Sequence, residues 1–63
     1  LRVAPGGRTW PIFVEMAIAA EARGNSIPDA LLAAMAIEQG ATLITADRGF
    51  ARFPRLRWRH PLD

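Results

Sequence analysis

Asp29 and Asp47 are the residues of this 63-residue chain whose type and setting most invite chemistry. Asp29 closes Ser26-Ile27-Pro28-Asp29, which reads as the first turn of a helix, and Asp47 stands just past the β-type run Thr42-Leu43-Ile44-Thr45. In open α/β sheets the rim at the carboxyl ends of the strands is where ligands bind. Two carboxylates converging there would suit Mg2+ or Mn2+, which favour hard oxygen ligands and keep several waters. Spacing alone favours a structural role, with Asp29 complementing a helix dipole and Asp47 ending a strand in a turn. Thr45 is a candidate to hydrogen-bond a carboxylate or a bound phosphate, or is simply a β-branched residue closing a strand. Arg48 is placed either to meet a phosphate oxygen bidentately or to balance the acids. Arg52, Arg55, Arg57 and Arg59 follow it, interleaved with Phe50, Phe53 and Trp58. That mixture suits single-stranded RNA, through phosphate contacts and base stacking. It also suits an edge strand whose Arg face discourages pairing with other chains while the aromatics enter the core. His60 has no second His and no Cys to join it in a zinc site.

The elements that must hold these residues are legible in outline. Pro5-Gly6-Gly7 marks a turn. Thr9 is a candidate cap for a helix over residues 10–23, with Pro11 in its first turn and Gly24 as its stop. Trp10, Phe13, Val14, Ala17 and Ala20 or Glu21 share one face at helical spacing. Ser26 is the candidate cap of a second helix, with Asp29 at capping-box spacing. Ala30 to Ile37 contains no polar residue, so this helix should be buried on most sides. The chain alone holds too little structure to cover it. After Gly40 comes the run 42–45, then a helical turn over Phe50–Phe53, then Arg55-Leu56-Arg57-Trp58-Arg59-His60, which alternates as a half-buried strand does. Helix, helix, strand, short helix, strand is the order of part of an α/β layered fold.

Composition narrows the rest. A chain of about 60 residues buries only about 60% of the surface it exposes when unfolded. With no Cys there is no disulfide framework, and a reducing cytoplasmic setting is the default. Hydrophobic residues make up 51% of the chain, but twelve of them are Ala, which leaves a thin core. All eight positive charges are Arg, and they are unevenly spread. Residues 1–47 carry three Arg against five acids, whereas residues 48–63 carry five Arg against Asp63. Such asymmetry points to a basic end that meets something anionic. No apolar window reaches the roughly 18 residues of a membrane span. The chain starts at Leu1 without a signal-peptide pattern, as a segment from inside a larger sequence would. A helix-turn-helix DNA binder is disfavoured, because Ala30 to Ile37 offers nothing to hydrogen-bond base edges.

The stretch from Gly24 to Phe50, with the Asp29-Ala30-x-x-Ala33-Ala34 helix followed by Thr45-Ala46-Asp47, resembles the carboxyl half of PIN-domain ribonucleases, and within them the toxins of VapBC toxin–antitoxin modules. The likeness continues through Ala51-Arg52-Phe53-Pro54, Leu56-Arg57-Trp58 and Pro61-Leu62, and takes in Trp10-Pro11-Ile12-Phe13 upstream. It implies a PIN-like α/β/α layered fold with a mainly parallel sheet, of which residues 1–63 are the carboxyl-terminal portion. It implies a Mg2+- or Mn2+-dependent endoribonuclease, with Asp29 and Asp47 as the third and fourth of four acids around the metal. The implied partners are RNA, a VapB-type antitoxin, the missing amino-terminal half and, in the complete protein, a second copy. Two departures stand out. Many relatives carry a further Asp where this chain has Gly49, and the family's first Asp and its Glu lie on segments this chain lacks. Glu38 cannot replace them beside Asp29, since nine helical residues separate the two by about 13 Å. Glu15 and Glu21 are assigned to the polar flank of the first helix. The implication is a fragment inactive by itself; the alternative is a non-catalytic interaction module that packs with an amino-terminal piece or an antitoxin.

Overall fold

The computed structural model describes residues 6–22, 24 and 26–62. Helix α1 spans Thr9–Ala19, α2 spans Ser26–Gln39, β1 spans Thr42–Ile44, a 3-10 helix spans Arg48–Arg52 and β2 spans Arg57–Arg59. The expected order of elements holds, and so does the α/β class. The two strands pair in parallel, with Thr42 opposite Arg57, Leu43 opposite Trp58 and Ile44 opposite Arg59. Parallel neighbours need a crossover of about a dozen residues. Residues 45–56 supply it, with the 3-10 helix in place of the usual α-helix. Ser26, expected as a cap, is the first residue of α2. Pro5 of the expected opening turn lies outside the described residues. Among the described residues no helix is long and apolar enough to cross a membrane.

The start of α1 corrects one expectation. The N-cap position belongs to Arg8, and its side chain makes no capping bond. Thr9, expected there, lies inside the helix, buried at 4% exposure. The cap comes instead from the far end of α2. Glu38 accepts the Arg8 N–H on Oε2 at 2.6 Å and the Thr9 hydroxyl on Oε1 at 2.6 Å. Thr9 Oγ1 in turn accepts the Gly6 N–H at 2.8 Å. A helix start leaves several N–H groups without partners and favours a negative charge nearby, and the carboxylate answers both needs. The Thr9 hydroxyl first, then the Arg8 N–H, hold the Glu38 carboxyl below its ordinary value, against a smaller opposing effect of desolvation. Gly6 is needed for the fit. A Cβ there would lie 2.6 Å from a Glu38 carboxylate oxygen.

The end and the buried face of α1 correct two more. The helix stops at Ala19 rather than Arg23, and Gly24 is not what stops it. Glu21 takes the left-handed conformation (φ 51°), its N–H bonds the Ile18 carbonyl at 3.1 Å, and the Ala22 N–H bonds the Ala17 carbonyl at 2.8 Å. This is a Schellman closure with Glu where Gly is usual. It brings Ala22 against the core. α2 ends with the same pair of bonds around Gly40 (φ 67°), from Gly40 to Ile37 and from Ala41 to Ala36.

The expected stripe is split: Trp10 (69% exposed) and Val14 face outward, while Phe13, Ala17 and Ala20 pack partly buried against the core. The buried side is Thr9, Ile12 and Met16, flanked by partly buried Phe13, Ala17 and Ala20. Glu15 is the only charged residue in α1, so periodicity alone could not select the inner face.

The core is built on the small face of α2. Ala30, Ala33, Ala34 and Ala36 are buried together with Ile12 and Met16 of α1. Alanine at these sites lets α1 come close. Phe50, Phe53 and Leu56 from the crossover complete the cluster, with Leu43 and Trp58 of the sheet packed against it. The segment carrying Asp47 is therefore pinned at both ends, by strand pairing and by two buried phenylalanines. Their rings lie 5.9 Å apart in a tilted pair.

Candidate functional site

Asp47 leaves the sheet at the carboxyl end of β1. The Thr45 N–H extends the strand pairing by bonding the Arg59 carbonyl at 3.0 Å, after which the chain turns. Thr45 Oγ1 accepts the Asp47 N–H at 3.1 Å. Asp47 then caps the 3-10 helix, its Oδ1 accepting the Gly49 N–H at 2.8 Å. Thr45 thus acts on the backbone of Asp47, and Asp47 has the cap geometry that short acidic side chains favour.

Asp29 stands in the first turn of α2. Its Oδ2 meets Arg52 Nη2 at 3.1 Å, with the two side chains 34% and 31% exposed. The other end of the same guanidinium, Nη1, donates to the Gly49 carbonyl at 2.6 Å. The guanidinium also lies 4.6 Å over the Phe53 ring. The two aspartates are therefore joined through one short path, from Asp29 to Arg52, from Arg52 to the Gly49 carbonyl, and from the Gly49 N–H to Asp47. A Cβ on Gly49 would fall 2.8 Å from Arg52 Nη1 and 2.9 Å from Asp47 Oδ1. No side chain fits at position 49 unless both neighbours move.

The remaining arginines are dispersed. Arg48 is exposed. Arg55 meets Glu15 at 2.6 Å in a pair about half exposed on both sides, a setting in which ion pairs contribute under about 1 kcal/mol. Arg57 Nη2 donates to the Gly40 carbonyl at 3.1 Å, just past the end of α2. Arg57 and Arg59 are exposed on the outer side of β2, with Trp58 half-buried between them. His60 Nδ1 accepts the Leu62 N–H at 3.1 Å. Among the described residues no three His, Cys, Asp or Glu side chains gather as a metal-binding group. Glu15 is tied to Arg55, Glu38 to the start of α1, and Glu21 lies beyond the end of that helix.

Two functional contacts escaped the reading of the chain. Arg52 reaches Asp29 across 23 positions and Glu38 reaches Arg8 across 30. No local spacing rule covers either. The nearest signal was the absence of a side chain at Gly49, beside a buried Phe and an Arg.

An aspartate in the first turn of α2, a pair of parallel strands and a second aspartate in the short crossover between those strands are the features this fold brings together. The family model of the PIN domain matches residues 3–56, and the chain belongs to that family. Ribonuclease VapC43 of Mycobacterium tuberculosis is 59% identical over 63 residues, covering 100% of this chain and 43% of that protein. A VapC ribonuclease of Mycobacterium bovis is similar to the same extent over the same lengths. Ribonuclease VapC25 of M. tuberculosis is 38% identical over 61 residues, covering 97% of this chain and 43% of that protein. The chain thus spans less than half the length of the curated relatives it matches.

Proposed function

We propose that residues 1–63 are the carboxyl-terminal portion of a single PIN domain, and that the complete domain is a metal-dependent endoribonuclease toxin of the VapC type. The observation that carries the reading is the 59% identity to a VapC ribonuclease over all 63 residues of this chain, which cover 43% of that relative. The linkage of Asp29 and Asp47 through Gly49 and Arg52 supports their assignment as one site.

The donor set suits Mg2+ or Mn2+: two carboxylates, in a chain that has no Cys to supply a thiolate. Asp29 is open enough to meet a partly hydrated ion. When bound, such an ion would stabilise charge on the phosphoryl oxygens and make water a better nucleophile. Asp29 and Asp47 would hold it, Thr45 and the Gly49 N–H would orient Asp47, and Arg48 is a candidate for a phosphate oxygen. Arg55, Arg57 and Arg59 would add positive potential along the path of the RNA. Two carboxylates hold a hydrated ion weakly, so this chain alone is expected to be inactive. The missing acids, a VapB-type antitoxin and a second copy would come with the complete protein, which we assign to the cytoplasm.

The test is RNA cleavage with Mg2+ by the complete domain and by its Asp29→Asn and Asp47→Asn variants. Normal cleavage by either variant would remove that residue from the site. Robust metal-dependent cleavage by the 63-residue chain alone would overturn the claim that it is inactive.

A second reading has its own observation. Trp10, Val14 and Ile18 form an exposed apolar stripe along α1, and Ile44 is 59% exposed on β1. Surfaces of this kind suit a non-catalytic module that packs with an amino-terminal piece or an antitoxin. Native mass spectrometry separates the two readings: a co-purifying amino-terminal segment supports a split catalytic domain, and a lone monodisperse chain favours the module.

A further inference from the structure

The polar contacts of Arg52 run to Asp29 and to the turn that holds Asp47. One end of its guanidinium holds Asp29 Oδ2 at 3.1 Å and the other holds the Gly49 carbonyl at 2.6 Å. The N–H of that same Gly49 holds Asp47 Oδ1 at 2.8 Å. Gly49 thus serves one aspartate through its N–H and the other, by way of Arg52, through its C=O. The guanidinium carbon lies 4.6 Å from the centre of the Phe53 ring, which is only 2% exposed, so the arginine rests against a core residue. The missing side chain at position 49 makes the arrangement feasible, because a Cβ would press on Arg52 Nη1 and on Asp47 Oδ1 together.

We propose that Arg52 is the positioning residue of the Asp29 and Asp47 pair, fixing their separation by clamping the Gly49 turn to the start of α2. Its bearing on a cation rests on the metal-site reading; the clamp itself does not. Guanidinium is suited to the task because its donors diverge from a rigid plane, whereas an ammonium is a single point charge on a flexible stem. Two effects on a bound cation oppose each other here. The positive charge of Arg52 repels the cation, while the clamp holds the ligands in place. The guanidinium is about one-third exposed, so solvent weakens the repulsion, and positioning prevails.

Amide NMR of the complete domain tests the clamp without any metal. Asp29→Asn is expected to shift the Gly49 and Asp47 amide resonances, and most of that shift should vanish when Asp29→Asn is made in an Arg52→Gln background. Arg52→Lys keeps the charge beside Asp29 but should lose most of the transmission to Gly49. It serves equally if the Gln variant folds poorly. Equal shifts in the presence and absence of Arg52 would overturn the proposal. A Mn2+ titration then reads the consequence through paramagnetic broadening of the Asp29 and Asp47 amides. Arg52→Gln should need about tenfold more Mn2+, the lower end of what losing an outer-shell partner costs a metal site. Unchanged or tighter binding would also overturn it. Failure of the metal reading looks different: Asp29→Asn would leave the Mn2+ response unaltered while the amide coupling through Arg52 persisted.

Discussion

Replacing Glu21 with Gly should stabilise the fold, and the structure contains its own control. Both helices close with the same two backbone bonds, around Glu21 at φ 51° in one and Gly40 at φ 67° in the other. The left-handed conformation costs an L residue about 1–2 kcal/mol. Gly escapes that cost but gives back about 0.4–1 kcal/mol through the greater freedom of the unfolded chain. The two ranges leave about 0–1.6 kcal/mol in favour of Gly at either position, with about 0.5–1 kcal/mol at their middle. Packing adds little to it. Glu21 is exposed, and a Cβ on Gly40 would meet nothing within 4 Å. For a domain of this size each kcal/mol moves the melting temperature by about 4–8 °C. Glu21→Gly should therefore raise Tm by about 2–8 °C and Gly40→Ala should lower it by a similar amount. Glu21→Ala should change it little, because the strain belongs to the backbone rather than to the carboxylate. Thermal unfolding followed by far-ultraviolet circular dichroism reads all three. A lower Tm for Glu21→Gly, or a higher one for Gly40→Ala, would refute the reasoning.

Three further outcomes are expected. Met16 is fully buried between the helices, and Met16→Ala should cost about 2–5 kcal/mol in a urea titration. Total stability for this length is about 3–9 kcal/mol, so a loss that small variants on the surface show would mean that Met16 is not packed as described. Glu38 has a lowered pKa in the folded state, so the stability it contributes is complete above the ordinary glutamate value and disappears as pH falls through that value and the lowered one. Glu38→Gln should flatten this acid limb, and an unchanged limb would deny Glu38 its capping role. Asp47→Ala should lose about 0.5–2 kcal/mol with the cap of the 3-10 helix, whereas Asp47→Asn keeps an acceptor oxygen and should stay near wild type. Equal losses in a denaturant titration would show that the acceptor is not what matters.

What could be read along the chain was what depends on near neighbours. Pro28, Gly40 and the unbroken apolar run from Ala30 to Ile37 announce α2, and alternation about Trp58 announces β2, because caps, breakers and periodicity act over a few residues. Asp47 was legible past the end of its strand for the same reason. The inner face of α1 was legible only in part: Phe13, Ala17 and Ala20 pack inward as expected, but Ile12 and Met16 were missed, since a helix with one charge offers no polar side to exclude. Glu21 in the left-handed region was not legible either, because a Glu carries no mark of the turn it will make. The partners of Asp29 and of the α1 start were hidden for a different reason. They are arginine and glutamate contacts made only once the chain has folded back on itself, and either side chain could equally have remained in solvent. Kinship with PIN-domain ribonucleases marked Asp29 and Asp47 together, but not the guanidinium between their elements.

The dozen residues between β1 and β2 do two jobs at the shortest length the first one permits. They return the chain for parallel pairing, and they carry Asp47, Gly49 and Arg52. Strand pairing and the tie between Asp29 and Asp47 therefore draw on one and the same segment. Deleting a single residue between Thr45 and Leu56 should disturb strand register and carboxylate geometry in the same stroke. Evolution of the acidic rim in this chain is thereby confined to exchanging side chains, because changes in loop length would be felt by the whole sheet.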